Sequence, residues 1–204
     1  MEYTFNVYNK RACEGVTMAV SELMKANYIK RTAAGNGFNA KIEENSPLPV
    51  IVCVGSDLAV GDSLGPIVGS LLKHKTQGLH LYIYGTLHSP VTAKEVSYMR
   101  RFLKETHKNA PVIAVDAAVG ESGDVGLIKL LDSPLRPGAG ANKKLGAIGD
   151  SSILGIVTEK SLMSYGIFNT TRLSLVYSMA EIISSALSDY LWSTYDRGEK
   201  QLTL

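Results

Sequence analysis

Short runs of consecutive apolar residues alternate along this chain with stretches in which apolar residues recur at helical spacing. A short run that is apolar throughout predicts a strand buried on both faces, and helical spacing predicts an amphipathic helix. The predicted strands are residues 50–55, 80–85, 111–116, 125–131 and 152–157. The predicted helices are residues 11–30, 63–73, 92–107 and 171–194. This alternation predicts an α/β fold with a mostly parallel sheet covered on both faces.

The first part of the chain departs from this pattern. Its helix is followed by a polar, glycine-containing stretch at 31–49, which is typical of a linker. The 204 residues are enough for one domain with an additional arm. We therefore expect an N-terminal helix and linker at 1–49 and an α/β domain at 50–204.

Charge and composition exclude several classes of protein. A net charge of +2 gives no basis for binding nucleic acid or a membrane surface. The longest mostly apolar stretch, 173–191, contains Glu181 and Asp189, so it predicts a core helix rather than a membrane span. With two cysteines and no basic-then-apolar N-terminus, we expect neither a disulfide scaffold nor a signal peptide, but a cytoplasmic protein. The closing helix is more apolar than one sheet face requires, which leaves a homo-oligomer open.

Two aspartates come just after predicted strands. Asp116 directly follows the apolar run at 111–115, and Asp62 ends the loop after the strand at 50–55. Ligands of open α/β sheets bind at the carboxyl ends of the strands, so carboxylates delivered there by two strands predict an acid/base or metal pair. The alternative for Asp62 is a helix N-cap. Two neighbouring carboxylates split their pKa values, which suits one to donate a proton while the other activates water.

The remaining loops carry weaker signals. Gly55 and Gly61 match neither the dinucleotide fingerprint nor the P-loop, which argues against nucleotide binding. The long segment 132–150 has glycines and lysines that suit a peptide backbone or an anion, with a solvated surface loop as the alternative. His88 follows the second predicted strand, where it either faces the same edge of the sheet or is solvated.

Three sets of motifs together resemble the YyaC family of spore-forming Firmicutes, which are sporulation proteins proposed to be proteases. The first set is Gly55-Ser56-Asp57 with Gly61-Asp62-Ser63-Leu64-Gly65-Pro66. The second set is Tyr84-Gly85-Thr86 with Ala114-Val115-Asp116-Ala117. The third set is Arg136-Pro137-Gly138-Ala139-Gly140, Gly149-Asp150 and Asn169-Thr170-Thr171-Arg172-Leu173-Ser174-Leu175. The resemblance covers about residues 50–185.

That family is similar in turn to the germination protease, which degrades small acid-soluble spore proteins, and to hydrogenase maturation endopeptidases. The resemblance implies a three-layer α/β/α sandwich of the phosphorylase/hydrolase-like kind. It also implies that Asp62 and Asp116 take the role of the aspartate pair proposed to be catalytic in the germination protease, and that 138–144 corresponds to its glycine-rich loop.

The hydrogenase endopeptidases surround a nickel ion with a Glu, an Asp and a His. The resemblance places Asp62 where their Glu would be and Asp116 on their Asp. The segment that should carry the His, 132–150, contains none. Because a nickel site would need a third strong ligand, we expect no metal and no cofactor.

The sequence and the resemblance together predict an aspartate-dependent peptidase of a sporulating bacterium, with Asp62 and Asp116 as its catalytic residues. The expected substrate is a protein or peptide, with small acid-soluble spore proteins as candidates. The residues expected to bind it are Gly138, Gly140, Asn142, Lys143 and His88. Three alternatives stay open: a non-catalytic sporulation protein that binds a peptide or partner in the same cleft, a hydrogenase-maturation-type endopeptidase, and a hydrolase or phosphorylase of a small molecule.

Overall fold

A six-stranded sheet forms the centre of the protein in a computed structural model that describes residues 1–33, 48–138, 146–160 and 171–202. The strands are β1 (Glu2–Asn6), β2 (Val50–Cys53), β3 (Ile83–Tyr84), β4 (Val112–Gly120), β5 (Leu127–Leu131) and β6 (Ser151–Glu159). Their order across the sheet is β1-β5-β6-β4-β2-β3. Strands β6, β4, β2 and β3 run parallel, and β5 is antiparallel to both of its neighbours. The predicted mostly parallel sheet is therefore confirmed.

Helices cover both faces of this sheet. The described helices are α1 (Ala12–Ala33), α2 (Leu64–Lys75), α3 (Val96–Thr106) and α4 (Leu173–Leu202), with short 3-10 helices at Val60–Asp62 and Ser122–Asp124. Helices α1, α2 and α4 pack together on one face, and α3 packs on the other. This arrangement is the three-layer α/β/α sandwich that the resemblance implies.

The two faces of the sheet have separate apolar cores, because side chains of a strand point alternately to its two sides. Along β2, Ile51 and Cys53 join the core under α1, α2 and α4, whereas Val50 and Val52 join the core under α3. Both kinds of position are buried, which is why these strands consist of continuous apolar runs.

The edges of the sheet differ most from the predicted elements. Strand β1 pairs with β5, although its residues alternate between exposed and half-buried and carry too little apolar character to predict a strand. The strand predicted at 80–85 forms only at Ile83–Tyr84, which has a single neighbour in the sheet. Strand β4 continues beyond 116 because β6 runs alongside it as far as Gly120.

The predicted linker at 31–49 lies largely outside the described residues, which stop at Ala33 and resume at Leu48. The division at residue 49 stays a prediction. The chain before it contributes β1 to the sheet and packs α1 against α4.

Helix α4 has apolar residues on more than one side, and the fold covers them. Helices α1 and α2 both pack against it, and its residues Met179, Ile183 and Leu187 are fully buried. The apolar surface that one sheet face would leave uncovered is therefore largely buried within the chain. In the parts of the chain that the structure describes, no helix combines the length and apolar character needed to cross a membrane.

Candidate active site

A tight loop after β2 places Asp62. The loop closes on itself where the Ser56 N–H donates to the Asp62 carbonyl oxygen at 2.9 Å. Gly55 has a φ of +143°, and a Cβ at this position would lie 2.2 Å from the same carbonyl oxygen. Only glycine fits here without displacing Asp62.

Asp62 is the last residue of the 3-10 helix, and Ser63 occupies the N-cap position of α2. The Ser63 hydroxyl donates to the Val60 carbonyl oxygen at 2.8 Å rather than capping α2. Helix α2 starts in close contact with the end of β2, because a Cβ on Gly65 would lie 2.0 Å from the Val54 carbonyl oxygen. Asp62 is therefore fixed by this turn and is not the N-cap residue of α2.

Asp116 lies where β2 leaves the sheet. The last β2–β4 pair is Cys53 with Val115, and beyond it the Val54 N–H still donates to the Val115 carbonyl oxygen at 2.7 Å. Asp116 is the next residue of β4, paired with Leu154 of β6. It is 8% exposed. The sequence predicted that Asp116 ends its strand, whereas in the structure Asp116 is buried within β4, which continues to Gly120.

The electrostatic environment of Asp116 favours its protonated form. Burial raises the pKa of the Asp116 carboxyl group well above its usual value, and the charge of Asp62 raises it further. The Ala117 N–H, which donates to Asp116 Oδ1 at 2.8 Å, opposes both effects. The structure thus brings the two predicted carboxyl groups close enough to interact, one at the end of a loop and one within a strand.

The five residues predicted to bind substrate are only partly described. His88 is exposed in the turn between Thr86 and Ser89, whose backbones are hydrogen-bonded to each other. Gly138 is half-buried in a turn with a φ of +72°. Gly140, Asn142 and Lys143 lie outside the described residues.

The base of the long loop is on the same sheet face as Asp116. The backbones of Leu135 and Ile148 are hydrogen-bonded to each other at the loop's two ends, and both residues pack in the core under α3. A Cβ on Gly149 would lie 3.1 Å from that of Ala114, two residues before Asp116 on β4. Because alternate residues of a strand share a face, Asp116 faces the side from which this loop leaves the sheet.

Among the described residues, no third ligand completes a nickel centre of the hydrogenase-endopeptidase kind with Asp62 and Asp116. Among residues 1–33, 48–138, 146–160 and 171–202, no three His, Cys, Asp or Glu side chains cluster in a way that could hold a metal ion. The segment 139–145, which completes the loop expected to supply a histidine, contains none of these residue types. Asp62 and Asp116 would supply two of the three ligands that such a nickel centre needs.

The structure also forms an apolar groove that the sequence did not predict. This apolar groove, with a volume of about 360 Å³, lies between α2, the first turns of α4, the turn after β3 and the 3-10 helix of Asp62. Leu87, Leu173 and Tyr177 are among its apolar walls, and Asp57 also lines it. These residues are far apart in sequence, and the apolar character of Leu173 in the first turn of a long helix was the one available signal.

The fold and the site together define the class of this protein. It is a three-layer α/β/α sandwich in which two carboxyl groups interact near the carboxyl ends of parallel strands. The chain belongs to the family described as "Protein of unknown function (DUF1256)", whose model matches residues 25–186. It is also similar to "Uncharacterized protein YyaC" of Bacillus subtilis (strain 168), with 44% identity over 139 residues, 68% of this chain and 67% of that protein. The resemblance to the YyaC family is thereby confirmed. Neither of these two descriptions states an activity.

Proposed function

We propose that this protein is a peptidase that hydrolyses peptide bonds with Asp62 and Asp116. The observation that carries the proposal is the environment of Asp116. Its carboxyl group is buried beside a second carboxyl group, and its pKa is raised by both circumstances. Carboxyl pairs whose environments separate their protonation are characteristic of acid/base catalysis.

In this mechanism Asp116 is the general acid and Asp62 is the general base. Asp62 takes a proton from water as the water oxygen bonds to the carbonyl carbon of the substrate. The tetrahedral intermediate then loses its C–N bond while Asp116 gives its proton to the leaving nitrogen. Transfer of the proton from Asp62 to Asp116 after product release restores the starting state.

The long loop is the proposed substrate-binding element. The support from the structure is that its base lies on the sheet face of Asp116, although toward the amino end of β4. Gly138, Gly140, Asn142 and Lys143 would bind the peptide, with backbone N–H groups stabilising the oxyanion. The resemblance supports small acid-soluble spore proteins as the substrates and the cytoplasm of a sporulating cell as the location.

The proposal is tested by incubating the protein with small acid-soluble spore proteins and detecting fragments by mass spectrometry. Wild type would be compared with Asp62→Asn, Asp116→Asn and Asp150→Asn from pH 5 to pH 8, with Ni²⁺ or with a chelator. Asp150 is the matched control, because its carboxylate is bound by Arg31 at the other end of β4. Loss of a general acid or base costs about 100-fold to 10,000-fold in rate, so both site variants should be nearly inactive and the control active.

The other outcomes identify the alternatives. Cleavage that requires Ni²⁺ would favour a hydrogenase-maturation-type endopeptidase and contradict the metal-free pair. Intact substrates under every condition, together with binding of the same proteins, would favour a non-catalytic sporulation protein. Equal activity of Asp116→Asn and wild type would contradict the mechanism directly.

A further inference from the structure

We infer that the apolar groove is a specificity site that binds a large apolar side chain of the substrate peptide, next to a basic residue of that peptide. This inference rests on the proposed function, since it takes a peptide to be bound at Asp62 and Asp116. It adds the kind of residue that the site selects.

The position of the apolar groove makes it accessible to a peptide bound at the carboxyl pair. Val60 and Ser63, which line the groove, lie on either side of Asp62 in the chain. The groove therefore borders the turn that carries Asp62, where a substrate side chain next to the scissile bond would enter it.

The walls of the groove offer little hydrogen bonding. The Ser63 hydroxyl donates to the Val60 carbonyl oxygen at 2.8 Å, and the Ser70 hydroxyl oxygen accepts the Leu87 N–H at 2.9 Å. With these two serines already bonded within the fold, the remaining uncharged walls are apolar side chains such as Ile67 and Leu71, together with Tyr177, which adds one hydroxyl. An apolar side chain fits this environment without leaving a polar group unpaired.

Apolar side chains of the groove are also left in contact with water. Leu173 is 57% exposed and Tyr177 is 48% exposed, although the rest of α4 buries its apolar residues well. Clustered apolar exposure of this kind marks binding sites. A volume of about 360 Å³ is at the low end for ligand pockets, which favours one or two side chains over a larger ligand.

The charge at the groove selects the neighbour of the apolar residue. Asp57 lines the groove and is exposed, and among the described residues it takes part in no ion pair. Asp62 and Asp116 follow deeper in the site. The carboxylates of Asp57 and Asp62 are complementary to a cationic residue and would repel an acidic one.

The inference is tested with uncleavable complexes, using Asp116→Asn protein labelled with ¹⁵N. The probes are three Gly/Ser/Ala peptides with a central Leu-Lys, Ala-Lys or Leu-Glu pair, titrated while amide shifts are followed by NMR. We expect Leu-Lys to shift amides of the groove, Ala-Lys to bind about tenfold more weakly, and Leu-Glu to bind about threefold more weakly.

Variants in the same background assign the effect to the groove. Leu173→Ser and Tyr177→Ser should each reduce the advantage of Leu-Lys over Ala-Lys, and Asp57→Asn should reduce the advantage of Leu-Lys over Leu-Glu. Tyr98→Ser is the matched control, because Tyr98 is 58% exposed on α3, on the other side of the sheet. Equal binding of Leu-Lys and Ala-Lys, no shift of groove amides, or equal effects of Tyr98→Ser and Tyr177→Ser would overturn the inference.

The two proposals fail in different ways. If the expected binding pattern appears but wild type cleaves none of the peptides, the specificity site stands and the peptidase proposal fails. If wild type cleaves Leu-Lys and Ala-Lys peptides equally well, the peptidase stands and the specificity site is overturned.

Discussion

One carboxyl group lies at the amino end of strand β4 and another lies at its middle, and the two have opposite environments. At the amino end, Asp150 Oδ2 lies 2.8 Å from an Arg31 guanidinium nitrogen and also accepts the Val112 N–H at 2.8 Å. At the middle of the strand, where β2 ends, Asp116 is near Asp62, and burial and the like charge both raise its pKa. One carboxylate is matched with donors, and the other is placed beside a group that repels its charge.

This difference is the one expected between a structural carboxylate and the proposed catalytic one. A paired carboxylate stabilises the folded state, since its charge is compensated by a cation and a backbone donor. A buried carboxyl group near a like charge destabilises the fold whenever it ionises, and such an arrangement is typical of sites where protons move. Substitution of Asp150 should therefore mainly lower the stability of the fold, whereas substitution of Asp116 should mainly lower the activity.

The largest expected effect is on the pH dependence of cleavage. If Asp116 is the general acid, kcat/KM should fall about tenfold for each pH unit above its pKa. Because burial and Asp62 raise that pKa, the fall should begin well above the range of an ordinary aspartate. Asp150→Asn should give the same profile as wild type, and a rate that stays level on the alkaline side while the protein remains folded would contradict this role.

The next effect comes from the turn that positions Asp62. Gly55→Ala adds a Cβ that would lie 2.2 Å from the Asp62 carbonyl oxygen, at a backbone conformation that favours glycine. We expect the free energy of unfolding to fall by about 3 kcal/mol and the folded fraction to be less active. Urea unfolding and cleavage assays measure the two effects.

The control for that turn is Gly123→Ala, since nothing lies within 4 Å of a Cβ at Gly123. Its free energy of unfolding should change by less than about 0.5 kcal/mol. Equal effects of the two substitutions would mean that Gly55 does not position Asp62.

At the amino end of β4, we expect substitution of Asp150 to lower the stability of the fold without changing the activity. Asp150→Ala leaves the Val112 N–H and the Arg31 guanidinium without their partner, which should cost about 2 kcal/mol. The pair is about one-third exposed, with side chains at 28% and 33%, so a larger cost is not expected. Urea unfolding measures the loss, and activity per folded molecule should stay near that of wild type.

An exposed ion pair gives the baseline for this measurement. Lys25 and Glu22 are about half exposed, so Glu22→Ala should change the free energy of unfolding by less than about 1 kcal/mol. If Asp150→Ala costs no more than Glu22→Ala, Asp150 does not hold the amino end together.

The last effect is a gain of stability on substitution of Asp116. With a raised pKa in the folded state, Asp116 contributes stability that is fully present below its unfolded pKa and is lost as pH rises through its folded pKa. The loss is about 1.4 kcal/mol for each unit by which the pKa is raised. Asp116→Asn cannot ionise, so its stability relative to wild type should rise with pH above about pH 4. Urea unfolding at several pH values measures this difference, and a difference independent of pH would contradict it.

The central strands could be predicted because they are buried on both sides. The runs that form β2 and the first part of β4 are apolar at every position. Few structures other than a strand buried on both faces require such a pattern. Strand β1 alternates between exposed and half-buried residues at the sheet edge, and its pairing with β5 depends on a partner more than a hundred residues away. The length of β4 likewise depends on β6, which continues alongside it past Asp116.

The sequence by itself determined that Asp62 and Asp116 each follow a buried apolar run, because local apolar patterns specify which segments form strands. It did not determine that these two residues interact. Only the strand order, with β2 beside β4, places them together, and burial and the charge of Asp62 then raise the pKa of Asp116. The apolar groove is likewise a product of tertiary structure, since Asp57, Leu87 and Leu173 meet only after α2 and α4 have packed. The pattern of apolar and polar residues indicates which positions are buried locally, whereas the distances between elements depend on how those elements pack.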